Sequence, residues 1–311
     1  MDNNTTLSIC HPVDMQLPLM FQGQGQDKQV PDSRDLHQLF SHNLYSKNKK
    51  KMVFARAIGQ RVHYLSIISP VIILGTFIIT YCISASRGHV ELVFPYISYT
   101  AVHAPSSGIF GQLVNMGALL MAFVIYIRYL QMAKDLSLIE ATWTYKTVNK
   151  VSLGVGWVSA FGFSMVANFE TVKMRPLHYT GAGLAFFLGV AYVWLQTSLS
   201  LRYRRWTWVA IAQLTSSIVT TVGMIVLMSS KTIYKLYEYH YLETRDDVLQ
   251  EVYLTSTISQ WLTAFSMVLY IVTFYRDFAR IELNQPTVTV RDRLVVMKDY
   301  NIEALQEPED E

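Results

Sequence analysis

Polar and apolar positions along the chain segregate into long blocks. Six stretches carry no Asp, Glu, Lys or Arg, running roughly Tyr64–Ser86, Ile109–Ile127, Val151–Phe169, Leu177–Leu201, Trp206–Ser230 and Val252–Tyr275. A helix crosses the hydrocarbon core of a bilayer with about 20 apolar residues. Each stretch has that length, so the pattern predicts an all-α, polytopic bundle of six transmembrane helices. Pro70 falls inside the first stretch, where a kink is expected. Pro176 opens the fourth, where proline suits the first helical turn. About 60 mostly polar residues precede the first stretch, too many for a secretory n-region, so that stretch is expected to stay as an anchor.

Basic residues beside the stretches set the expected orientation. Lys47, Lys49, Lys50, Lys51, Arg56 and Arg61 precede the first, Arg128, Lys134, Lys146 and Lys150 fill the second connection, Arg202, Arg204 and Arg205 the fourth, and Arg276 and Arg280 follow the last. They outnumber Arg87, Lys173, Arg175, Lys231, Lys235 and Arg245 on the other side. Both termini are therefore expected in the cytosol. Cys10 and Cys82 then lie on opposite faces of the membrane and cannot pair, and the Asn3 and Asn4 glycosylation patterns stay out of reach. Composition agrees. Hydrophobic residues make up 51% and charged residues 16%, and a net charge of +3 is too small to point to nucleic acid.

The polar ends divide the chain into an Asn-, Gln- and Asp-rich tail over 1–50, expected to be disordered, a six-span domain over 51–283, and a cytosolic tail over 284–311 ending in EPEDE. The bilayer is the expected partner. The basic run Lys47–Lys51 suits either anionic headgroups or plain positive-inside anchoring, and residues 51–61 suit a short surface helix. YRDF, at Tyr275–Phe278, has the form of a tyrosine sorting signal but abuts the sixth stretch.

Small residues let helix backbones approach in lipid. Gly156, Ala160 and Ser164 form a four-residue stripe on the third stretch, and Gly181, Ala185 and Gly189 another on the fourth, which predicts a tight hairpin between them. Polar residues inside the stretches call for a reason. Asn115 lies in the second, and Asn168, Glu170 and His178 gather at the lumenal mouth of the hairpin, with Gln196, Gln213 and Gln260 deeper in the last three. They suit either a lumenal polar site, with His178 and Glu170 trading a proton, or hydrogen bonds that lock the bundle. The second reading is preferred, because amides dominate and charged groups avoid the core. The loop from Gly88 to Gly108 reads as a structured cap, punctuated by Pro95 and Pro105, with Phe94, Tyr96 and Tyr99 suited to the interface. Neither His103 nor the Ser106–Ser107 pair stands in a nucleophile elbow, metal-ligand spacing or phosphate loop, so no catalytic residue, metal or cofactor is expected.

PYISYTAVHAPSSGIFGQLVNMGALL, from Pro95, resembles the signature of the damage-regulated autophagy modulator (DRAM) family. The family-motif loop includes Pro95, Tyr96, Ser98 and Pro105. SMVANFETVKMRPLHYTGAGLAFFLGVAYVWLQ, from Ser164, is similar to the family's third and fourth spans, and ISQWLTAFSMVLYIVTFYRDF, from Ile258, to its last. The chain departs from the pattern at Tyr99 and Ser106, where members often carry acidic residues. The resemblance implies a six-span protein of lysosomal or related endomembranes that modulates autophagy, in a family also linked to cell death, acting as a non-catalytic scaffold or lipid-contacting regulator. The wider superfamily also includes glycosylphosphatidylinositol-lipid remodelling factors and plasma-membrane adaptors for a phosphatidylinositol 4-kinase.

Overall fold

A computed structural model describes residues 61–204, 207–240 and 246–281. The N-terminal tail with Cys10 and Lys47–Lys51, the surface helix expected up to Arg61, and the C-terminal tail lie outside the described residues, apart from Arg61 itself. Among the described residues every regular element is helical. The six long helices are α1 (Leu65–Ser86), α2 (Ser106–Leu138), α3 (Trp143–Asn168), α4 (Arg175–Arg204), α5 (Trp208–His240) and α6 (Asp246–Tyr270). A 3-10 segment, Ile271–Phe274, and a last helical turn, Tyr275–Phe278, continue α6. All six are long and apolar enough to cross a membrane.

Two helix ends show why the chain turns where it does. Past Ser86, Gly88 takes a left-handed φ of 69°, and the amides of Gly88 and His89 reach back to the Ala85 and Ser84 carbonyls. At the other end of the bundle, Glu140 takes φ 52°, and the amides of Glu140 and Ala141 reach the Ser137 and Leu136 carbonyls. Both are Schellman closures, which satisfy the last carbonyls of α1 and α2. Pro70 sits inside α1, which continues through it, although the missing N–H deprives the Ser66 carbonyl of its usual donor.

The helices pack in chain order, most closely α3 on α4 and α5 on α6, and more loosely α4 on α5. The end of α6 closes the bundle against α1. The surface is apolar, with Val71, Leu119, Phe161 and Ile225 each about 60% exposed, while Ser66, Thr76, Thr220 and Thr263 are fully buried. This inversion fits lipid as the solvent. Many buried serine and threonine hydroxyls return their protons to the preceding turn, as Thr76 does to the Ile72 carbonyl (2.6 Å), which spares them an unpaired donor in hydrocarbon.

Two expectations are corrected. Arg128, counted among the loop cations, lies inside α2, which runs eleven residues past the apolar stretch that ended at Ile127. Charged groups do not avoid the core either, because Arg128 and Asp277 are both buried and form an ion pair at 2.7 Å. Their hydrogen bonds replace hydration. The YRDF segment is part of this closure, with Asp277 and Phe278 buried, so it is not displayed as an extended motif.

Candidate functional site

The connection between α1 and α2 is folded into one end of the bundle. Its 3-10 turn, Ile97–Ala101, is held by three residues of α6. Trp261 Nε1 donates to the Pro95 carbonyl (2.8 Å), the Ile97 amide donates to Gln260 Oε1 (2.9 Å), and the Tyr96 hydroxyl donates to Ser256 Oγ (2.7 Å). From α1, the Ser84 hydroxyl donates to the Thr100 carbonyl (2.6 Å) and lies 3.0 Å from Ser106 Oγ. Pro105, after a cis peptide bond, caps the start of α2. Tyr96 is buried, whereas Phe94 and Tyr99 are exposed. Burial and the bond to Ser256 act oppositely on the Tyr96 phenol. Burial is the larger influence and raises its pKa above the usual tyrosine value.

The polar residues singled out at this end fall into three separate groups. Asn115 Nδ2 donates to Asn168 Oδ1 (2.9 Å), and the Ser164 hydroxyl donates to Asn115 Oδ1 (2.6 Å), joining α2 to α3. The buried His178 sits between the Phe169 carbonyl at Nδ1 (2.7 Å) and Ser98 Oγ at Nε2 (2.9 Å). A carbonyl only accepts, so Nδ1 carries the proton, and a neutral ring accepts the Ser98 hydroxyl at Nε2. Glu170 instead pairs with Lys173 (2.8 Å). His178 and Glu170 therefore share no hydrogen bond, and the imidazole is a tie between the loop and α4.

The small-residue stripes serve several neighbours. A Cβ on Gly156 would meet the Tyr192 ring of α4 and Ile125 of α2, and Ala160 is buried. Ser164 turns toward α2, as its bond to Asn115 shows. Gly181 faces Met165 and Val166 of α3, Gly189 lies against Met267 of α6, and the Ala185 carbonyl accepts from Ser159 (2.9 Å). Gly162 lies off the stripe yet has the backbone of Gly181, Leu184 and Ala185 directly against it.

Beside His178 opens a cavity of about 390 Å³, lined by Tyr96, Ser98 and Tyr99 of the loop, Arg175, His178 and Tyr179 of α4, Lys231, Tyr234 and Lys235 of α5, and Tyr253 and Gln260 of α6. The Lys231 ammonium stands 5.4 Å from the centre of the Tyr96 ring and 4.7 Å from that of Tyr179. Lys235 stands 5.5 Å from the Tyr179 centre. The opposite end holds the Arg128 centre. Besides Asp277, the guanidinium donates to Gln196 (3.0 Å), Gln131 (3.0 Å) and Ser200 (2.9 Å), and it lies 4.7 Å from the centre of the Phe274 ring. Gln196 passes the network to Ser152 of α3 (2.8 Å). Among the described residues no group of three His, Cys, Asp or Glu side chains is placed to hold a metal ion.

The loop's attachment gives one direct test. Gln260→Ala leaves the Ile97 amide without its acceptor, a change that typically costs about 1–3 kcal/mol for a buried donor. Amide hydrogen exchange across Ile97–Ala101 should rise about tenfold or more, while exchange around Arg128 stays at the parent rate. Unchanged exchange in the loop would mean that Trp261, Ser256 and Ser84 hold it without Gln260.

Comparison with known proteins places this architecture. The family model described as the Frag1/DRAM/Sfk1/Cwh43P N-terminal domain matches residues 61–281. DNA damage-regulated autophagy modulator protein 1 of Homo sapiens is 36% identical over 219 residues, covering 68% of this chain and 88% of that protein. DNA damage-regulated autophagy modulator protein 2 of Homo sapiens is 28% identical over 216 residues, covering 67% and 80%. Modulator of macroautophagy TMEM150B-B of Xenopus laevis is 39% identical over 124 residues, covering 39% and 51%. No solved structure matches. The matched region runs from the start of the first span to the end of the last, and the chain is therefore a multi-pass membrane protein belonging to the Frag1/DRAM/Sfk1/Cwh43P family.

Proposed function

We propose that this chain modulates autophagy from within an endomembrane, the lysosomal membrane in the first instance, as a non-catalytic scaffold or lipid-contacting regulator. The observation that carries this reading is the extent of the similarity to a relative named an autophagy modulator, which covers 88% of that protein. Tyr96, Gln260, Asn115, Asn168 and His178 at the capped end support a structural role, because each is engaged in holding one element to another. In the orientation expected from the basic residues, the Arg128 end and both tails face the cytosol, where autophagy proteins would meet them. The basic run Lys47–Lys51 would then lie against anionic lipid.

The test is residence and flux in the same cells. A C-terminally tagged chain should co-localise with lysosomal markers, and deleting the gene should change lysosome-dependent turnover of autophagosomes. Plasma-membrane residence with unchanged turnover would overturn the reading. Residence in the endoplasmic reticulum or Golgi, with altered lipid on glycosylphosphatidylinositol anchors, would replace it with lipid remodelling.

A further inference from the structure

From the cavity at the capped end we infer a binding site for a phosphate-bearing anion, in which Lys231, Lys235 and Arg175 bind the phosphate. The inference goes beyond the autophagy reading and does not depend on it.

Charge is the first observation. Lys231 and Lys235 are one turn apart on the same face of α5, and Arg175, at the start of α4, lines the same cavity. Like charges at this spacing repel. Among the described residues none of the three is in an ion pair, and the cavity lining contains no carboxylate. Glu91 lines an adjoining cleft, which shares Tyr99 and Tyr253 with the cavity. Glu170, close in sequence, is occupied by Lys173.

Anchoring does not account for Lys231. Lysines at the ends of membrane helices commonly extend their ammonium groups outward to water. Lys231 is instead half-buried, with its ammonium over the rings of Tyr96 and Tyr179. The expected orientation also puts this end away from the cytosol, where basic residues are not needed for retention.

The shape and chemistry of the hollow specify the ligand further. A carboxylate brings one negative charge, whereas a phosphate monoester brings nearly two and several acceptor oxygens, matching a lining with three cations. A volume of about 390 Å³ exceeds a bare phosphate and leaves room for the group esterified to it. The floor turns apolar at Val166 and Phe186, and these two, with Ser98 and Gln260, also line a narrow cleft of about 30 Å³ among Phe77, Phe110, Phe163 and Ala264. The looser packing of α4 on α5 lies on the same side as the cations. A phospholipid whose headgroup enters beside the cations while its acyl chains stay in the bilayer along the looser α4–α5 seam fits this arrangement, and a soluble phosphate would use the same cations.

The experiment titrates the purified full chain in detergent micelles with dioleoyl phosphatidic acid, dioleoyl phosphatidylcholine and inorganic phosphate, read by microscale thermophoresis. Phosphatidic acid should bind at least tenfold more tightly than phosphatidylcholine. Both K231Q/K235Q and, separately, R175Q should weaken it at least tenfold, and K146Q/K150Q at the opposite end should not. Arg175 is exposed and outside the ring contacts, so R175Q keeps the test valid if the lysine pair also affects folding. Inorganic phosphate that binds as tightly, displaces the lipid and shows the same losses would support the site with a soluble ligand. Equal binding of the two lipids, or parental binding by both cavity variants, would overturn it.

Discussion

Asp277→Leu should destabilise the folded bundle by about 3–5 kcal/mol, the usual cost of leaving one member of a buried pair without the other. Arg128 is fully buried, so its guanidinium cannot reach water when the carboxylate is removed. Gln131, Gln196 and Ser200 would still accept its protons, but they are neutral and do not balance its charge. Arg128→Leu should cost a similar amount for the opposite reason, a stranded carboxylate. R128L/D277L should recover most of the loss, because a buried pair contributes little net stability over apolar residues of similar size. Asp277→Asn should fall between, retaining an acceptor and losing the charge. Unfolding of the purified chain by sodium dodecyl sulfate in mixed micelles, followed by circular dichroism, gives the four midpoints. Single variants within about 1 kcal/mol of the parent would show that the centre is open to water and that the pair is not what closes α6 onto α2.

The ion pair also shows where the sequence could be read and where it could not. The bilayer imposes a length, so uncharged stretches of about 20 residues stand out, and all six correspond to helices. The same rule ended the second stretch at Ile127. Arg128 looked like a loop residue because the carboxylate that balances its charge, Asp277, is 149 residues away. Pairings of that kind are set by packing. The capping loop is similar. Pro95, Tyr96 and Ser98 stood out by resemblance, but their partners Trp261, Ser256 and His178 lie on helices far along the chain. The three cations of the cavity were visible only as loop charges, since Arg175 and Lys231 are brought together by the fold.

Gly162 is the other residue that spacing did not reveal. The four-residue stripe led to Gly156, Ala160 and Ser164, while Gly162 lies two positions beyond Ala160, on another side of α3. A Cβ at Gly162 would lie 2.7 Å from the Gly181 carbonyl oxygen and 2.9 Å from the Leu184 carbonyl carbon, and closer still to the Ala185 amide. These are backbone atoms of α4, which cannot rotate away as a side chain can. Gly162→Ala must therefore push α3 and α4 apart, breaking the Ser159 bond to the Ala185 carbonyl as well. Overpacking of this kind typically costs about 1–3 kcal/mol, more than the roughly 1 kcal/mol that alanine gains over glycine within a helix. Gly162→Val should cost more again, enough to lower the yield of folded protein. Gly154 is the internal control, on the same helix with nothing within 4 Å of its would-be Cβ. Gly154→Ala should be neutral or stabilising by up to about 1 kcal/mol. In the same detergent titration the two alanine variants should move in opposite directions. If they moved together, the separation of α3 and α4 would have to be set by residues other than Gly162, and Gly181 and Gly189 would be the next to substitute.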